Sequence, residues 1–162
     1  MKVDAEVLLS ALVAKLKAKL PTVAAAITAE KNDSLVLKVP SSSAWVQLSM
    51  DNAVVNYDTF CFIYLDSMNT QSQGPIVSRD LRFVWCLFTA RTGTNSAGQD
   101  SESLLSLRYM RLMEDTAAEA WRSARPGQEF TVESLTPVDV QLENSTQWHR
   151  VFGVTFSTSL TY

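Results

Sequence analysis

Residues 148–162 place Trp148, Phe152, Val154, Phe156, Leu160 and Tyr162 at even positions, with mostly His, Gly, Thr or Ser at the odd ones. Successive side chains of a strand point to opposite faces. The alternation therefore predicts a strand with one buried aromatic face and one small polar face, its end held down by a sheet.

Two further segments, 54–66 and 81–90, contain Phe60-Cys61-Phe62-Ile63-Tyr64-Leu65 and Phe83-Val84-Trp85-Cys86-Leu87-Phe88. Each is apolar on both faces, as expected of central strands covered on two sides. Residues 67–75 between them read as a polar loop with a Gly74-Pro75 break. A hairpin symmetric about that loop would set Cys61 opposite Cys86. Shorter strands are expected at 35–39 and 44–48, separated by Pro40-Ser41-Ser42-Ser43 and near a sheet edge, where proline is tolerated. Segments 130–143 and 148–162 form a closing strand pair around Asn144-Ser145-Thr146-Gln147.

Two stretches carry helical spacing. In 3–19, Val3, Val7, Leu8, Ala11, Leu12 and Leu16 form a stripe that Pro21 is expected to stop, with Lys15, Lys17 and Lys19 at the negative end of the dipole. The Ala- and Thr-rich 22–30 is ambiguous. Ser101 offers an N-cap for a helix over 102–123, whose buried side is Leu105, Tyr109, Leu112, Met113, Thr116, Ala117, Ala120 and Trp121. Arg125-Pro126-Gly127 ends it. The order of elements predicts a single α+β domain over 1–162, with both helices packed on one mainly antiparallel sheet. There is no internal repeat.

Composition narrows the function. A formal net charge of −3 argues against a duplex-DNA binder. No apolar run is long enough to span a bilayer, and charges at Asp4, Glu6, Lys15, Lys17 and Lys19 interrupt any signal-peptide core. Two cysteines are too few for a disulfide scaffold or a zinc site, and two reduced core thiols are expected in place of a redox pair. The sole histidine, His149, sits on the polar parity of the last strand without a sequence-local carboxylate. A surface or interface side chain is the stronger reading there than a general base or pH sensor. Glu114 and Asp115 point about 100° apart on a helix and do not converge as acid and base. Asp51, Asp58 and Asp66 lack the spacing of a metal loop, and no glycine loop cradles a phosphate. No catalytic, cofactor or metal residue is assigned.

What is left is a scaffold whose polar loops, 67–80 and 91–101, and strand edges suit protein contacts. The candidate contact residues are Met68, Ile76 and Arg79 in the first loop, Val3 and Val7 on the first helix, and Trp148, an aromatic of the kind enriched at interface centres, though core burial is its stronger reading. Trp45, Trp85 and Trp121 are expected in the core.

This layout resembles the tail terminator and neck (head-to-tail joining) proteins of tailed bacteriophages. Those begin with an amphipathic helix like 3–20, continue into a β-rich section with a long protruding hairpin or loop, as 54–90 would supply, and close with a helix like 101–123 and a strand pair like 130–162. The resemblance implies a virion protein assembled in the host cytoplasm as a homo-oligomeric ring, usually a hexamer. The ring would cap the tail tube and dock the head connector, with genomic DNA passing through its channel, no cofactor and no membrane. The alternative from another class is a small-ligand or enzymatic α+β domain, with Phe60, Phe62, Phe83, Trp85 and Phe156 lining a pocket between helix and sheet.

Overall fold

The computed structural model describes residues 4–46, 58–91, 99–125, 127–142 and 146–161. The elements run α1 (Ala5–Lys31), β1 (Trp45–Val46), β2 (Thr59–Gln73), β3 (Ile76–Ala90), α2 (Gln99–Ala124), β4 (Thr131–Ser134), β5 (Val138–Gln141) and β6 (Trp148–Thr161). The fold is α+β, with one sheet ordered β1-β2-β3-β6-β4 and β5 also paired to β6. Short β1 runs parallel to β2; the other pairings are antiparallel.

Pro21 does not stop the first helix. Asp4 caps its start, the carboxylate accepting from the Glu6 N–H at 3.1 Å. The helix ends 12 residues beyond the expected Lys19, at Lys31, where Asn32 takes the left-handed conformation (φ 47°) and donates its N–H to the Thr28 carbonyl. An interior proline costs about 3 kcal/mol. Leu20, Val23, Ala24 and Ile27 are all buried around it, and burying one Val, Leu or Ile side chain gives about 1.5–3 kcal/mol. The sum outweighs the proline, and residues 22–30 follow the stripe into the core. Lys15, Lys17 and Lys19 therefore lie mid-helix, away from its C-terminus. In α2 the expected burial holds for Tyr109, Leu112, Met113, Thr116, Ala117, Ala120 and Trp121, while Leu105 is half-buried. The helix begins two residues before Ser101.

The helices pack against each other, with α2 on β6. The main core, including Leu12, Leu16, Leu20, Phe83, Trp85, Leu112, Trp121 and Phe156, fills the space between them and one face of the sheet. A smaller cluster, Ala44, Phe60 and Phe88 with half-buried Phe62, Cys86, Val140 and Val151 around it, covers the base of the opposite face. Both faces of β6 are consequently buried there. Thr155 and Thr158 on or beside the expected polar side are as covered as Phe152 and Phe156.

Residues 35–39 form no strand; they run extended beside α2. The Tyr109 hydroxyl accepts from the Lys38 N–H at 2.7 Å and faces the Lys38 carbonyl at 3.3 Å. Two bidentate ion pairs clasp the end of α1 and the turn after it to α2: Arg111 to Glu30 at 2.9 and 2.7 Å, and Arg108 to Asp33 at 2.8 and 2.5 Å. Arg111, with Lys31 assisting, holds Glu30 down from its usual 4.5 to about 2, and Arg108 with the Leu35 N–H holds Asp33 down to about 2. Both carboxyls are depressed on folding, so their contribution is full above about pH 4.5 and is lost as the pH falls toward 2. Thermal midpoints measured between pH 6 and 2 should fall through that window, and R108A/R111A should flatten the fall. An equally steep fall in the double variant would contradict the assignment.

Residues 130–143 give two short strands in place of one. Pro137, in the 135–137 break, cannot donate to a ladder. The Leu135 N–H instead bonds the Gly153 carbonyl at 2.9 Å, and Leu135 lies so close that a Cβ on Gly153 would meet its Cδ1 at 2.9 Å.

Candidate interface

The expected loop at 67–80 is a β-ribbon. Gly74 (φ 60°) and Pro75 close a two-residue turn with Gln73 opposite Ile76, the sign pattern of a type II′ hairpin. A straight ladder from that turn would set Cys61 opposite Phe88. A bulge between Leu65 and Ser67 shifts the register by one, so Cys61 faces Leu87 and Cys86 faces Phe62. The expected Cys61–Cys86 pairing does not form. The two thiols lie on opposite faces of the sheet as free cysteines, burial raising both, Cys86 to about 11.

β6 pairs β3 as far as Ser78, so the hairpin tip, 72–77, runs past the described end of β6 as two strands. Residues 66–76 are all exposed, and 67–78 carry no charge. Ile76, 53% exposed, lies on this tip, and Met68, 49% exposed, lies on the outer strand of the three-stranded part, opposite Leu81. Arg79 is half-buried at the root of this hairpin arm, opposite Thr70 and Leu160.

The remaining candidate contacts do not join the arm in one patch. Val7 is 63% exposed on α1. Val3 lies outside the described residues, as does most of the 91–101 loop. Trp148, expected in the core, is 48% exposed. Arg150 donates to the Ser106 hydroxyl, so α2's cover of β6 begins at Arg150, one step beyond Trp148 on that face. Trp45 is half-buried and stacks on Trp85 with centroids 5.9 Å apart.

An open cleft of about 900 Å³ lies at the root of the arm, lined by Ser67, Asn69, Asp80, Arg82, Ser157 and Ser159 with the 127–131 turn. Two of its charged groups have partners within or beside it. The Ser159 hydroxyl donates to Asp80 at 2.5 Å, and Arg82 sits 3.7 Å from Asp66. No sequence pattern pointed to this cleft, because its groups come from three strands and a turn. A second hollow of about 100 Å³, between α2 and the sheet, is lined by Thr89, Ser106, Tyr109, Arg150 and Phe152. It is well below the 300–1,000 Å³ usual for a ligand site. Asp139 beside it binds Arg150 at 2.8 Å and Arg91 at 2.9 Å, and Arg150 above all holds its carboxyl below the ordinary value. Neither cavity is lined by Phe60, Phe62, Phe83, Trp85 or Phe156; all but Phe62 are fully buried in the two cores.

Glu114 and Asp115 serve separate partners, Ser134 and Arg111. Asp51 lies outside the described residues, and Asp58 and Asp66 are exposed at opposite ends of the β2 apolar run. Among the described residues no three His, Cys, Asp or Glu side chains gather as metal ligands, and no helix is long and apolar enough to cross a membrane. No protein-family model matches the chain, and no curated protein matches it.

Proposed function

We propose that the chain is a structural subunit of a tailed-bacteriophage neck or tail. Copies close into a ring, a hexamer in this reading, that caps the tail tube and joins it to the head connector. The observation that carries the proposal is the hairpin arm of β2 and β3: it is uncharged over 67–78 and exposed over 67–76, its tip runs past β6, and Met68 and Ile76 are uncovered on it. An isolated two-stranded hairpin is marginal in water and gains stability when something packs against it. Rings close through heterologous contacts, in which one surface of each copy meets a different surface of the next, and a projecting arm supplies one of the two. The net charge of −3 suits a channel that DNA passes without being held. Mass measured by light scattering across concentration tests the reading. A discrete multiple of 18.0 kDa supports it, and a monomer at every concentration that stays monomeric when tail tubes are added contradicts it.

A further inference from the structure

His149, expected at a surface, is 2% exposed. It lies in β6 opposite Ala90 of β3 and Val140 of β5, with its ring edge-on to Phe60 at 5.7 Å. This places it against the smaller core of Ala44, Phe60 and Phe88. Among the described residues neither ring nitrogen has a hydrogen-bond partner of good geometry, although the Gln147 backbone is close enough to act on the ring. A buried polar group without a partner is costly, and a buried charge without one far more so.

The groups around the ring offer a proton little compensation. From β2 comes Phe60, and Asp58 just before that strand is exposed. β3 contributes Ala90 and Phe88, and the 41–46 segment contributes Ala44. β5 contributes Val140, and its Asp139 points to the other face, held by Arg91 and Arg150. Asp58 is thus the one charged group among the described residues that acts on the imidazole. Burial pushes His149 below its usual 6.5, opposed only in part by the Gln147 backbone and Asp58.

We propose that His149 is a proton-operated release for this end of the sheet. Neutral, the ring packs as an aromatic side chain. Protonated, it cannot stay in the small core, and β5 and the 41–46 segment come away from β6 and β2. The sign follows from linkage. The open form takes up its proton at the ordinary imidazole value and the closed form only below it, so closure is intact above about pH 6.5 and weakens as the pH falls. This inference is independent of the ring reading.

Because His149 is the only histidine, one proton resonance in the wild-type chain reports its titration directly. It should titrate below 6.5. Over the same range, amide exchange at Cys61, which donates to the Ala44 carbonyl at 2.9 Å, and along β5 should report an opening equilibrium that rises by up to about tenfold per pH unit, after correction for intrinsic chemistry. His149→Phe, which keeps a ring and removes both nitrogens, should leave that equilibrium flat. Titration at or above 6.5, unchanged opening in the wild-type chain, or the same rise in His149→Phe would each overturn the proposal. The first two readouts need no variant to fold.

Discussion

Ile76→Asp and Met68→Asp should each abolish assembly while leaving the folded monomer intact. Both side chains are about half exposed, Ile76 beyond the end of β6 and Met68 on the outer strand opposite Leu81, and neither belongs to a buried core cluster. Surface changes of this kind move stability by no more than about 0.5 kcal/mol. At a contact the same change desolvates a carboxylate against an apolar surface. Losing a central contact residue costs about 2–4 kcal/mol, or roughly 30- to 1,000-fold in association at each interface. A closed ring repeats the loss at every joint. Sedimentation velocity should show the wild-type oligomer replaced by monomer, with the thermal midpoint of the monomer unchanged. Undiminished assembly in both variants would remove the arm from the interface.

Trp85→Ala should bring the chain close to unfolding. Trp85 is fully buried in β3, opposite Ile63 and Val154 and stacked on Trp45 within 11° of parallel. Removing a buried Trp or Phe side chain costs about 3–5 kcal/mol, since the surrounding core relaxes only partly into the void. A domain of ordinary stability holds about 5–15 kcal/mol in all. Chemical denaturation should therefore show the midpoint reduced by about a fifth or more. A loss under about 1.5 kcal/mol would mean that the core around β3 is looser than its burial indicates.

The sheet's central strands and the buried side of α2 were legible because each is set by periodicity of apolar residues, a local signal. Cys61, Ile63, Phe83, Trp85 and Leu87 lie in the main core, and Tyr109, Leu112, Met113 and Trp121 meet them from the helix. What was not legible depends on competition between local rules and distant packing. Pro21 reads as a stop until Leu20, Val23 and Ile27 find a surface to bury against. The 67–80 ribbon reads as a loop because its residues are polar on both faces; only the two-residue Gly74-Pro75 turn marked it as a hairpin. The position of that turn would set Cys61 opposite Phe88, and one bulged residue near Asp66 moves it to Leu87, one place short of the symmetric Cys86. His149 follows the polar parity of β6, yet that face is covered by the 41–46 stretch, far away in sequence, with β5 paired alongside. The cleft at the arm's root had no sequence signal, since Ser67, Arg82 and Ser157 become neighbours only through strand pairing.

Negative-stain microscopy of the purified full chain, alone and with tail tubes added, tests the central claim most directly. The account predicts closed rings with a central hole, formed by the protein itself or when tubes are supplied. A compact monomer that stays monomeric beside the tubes would contradict it.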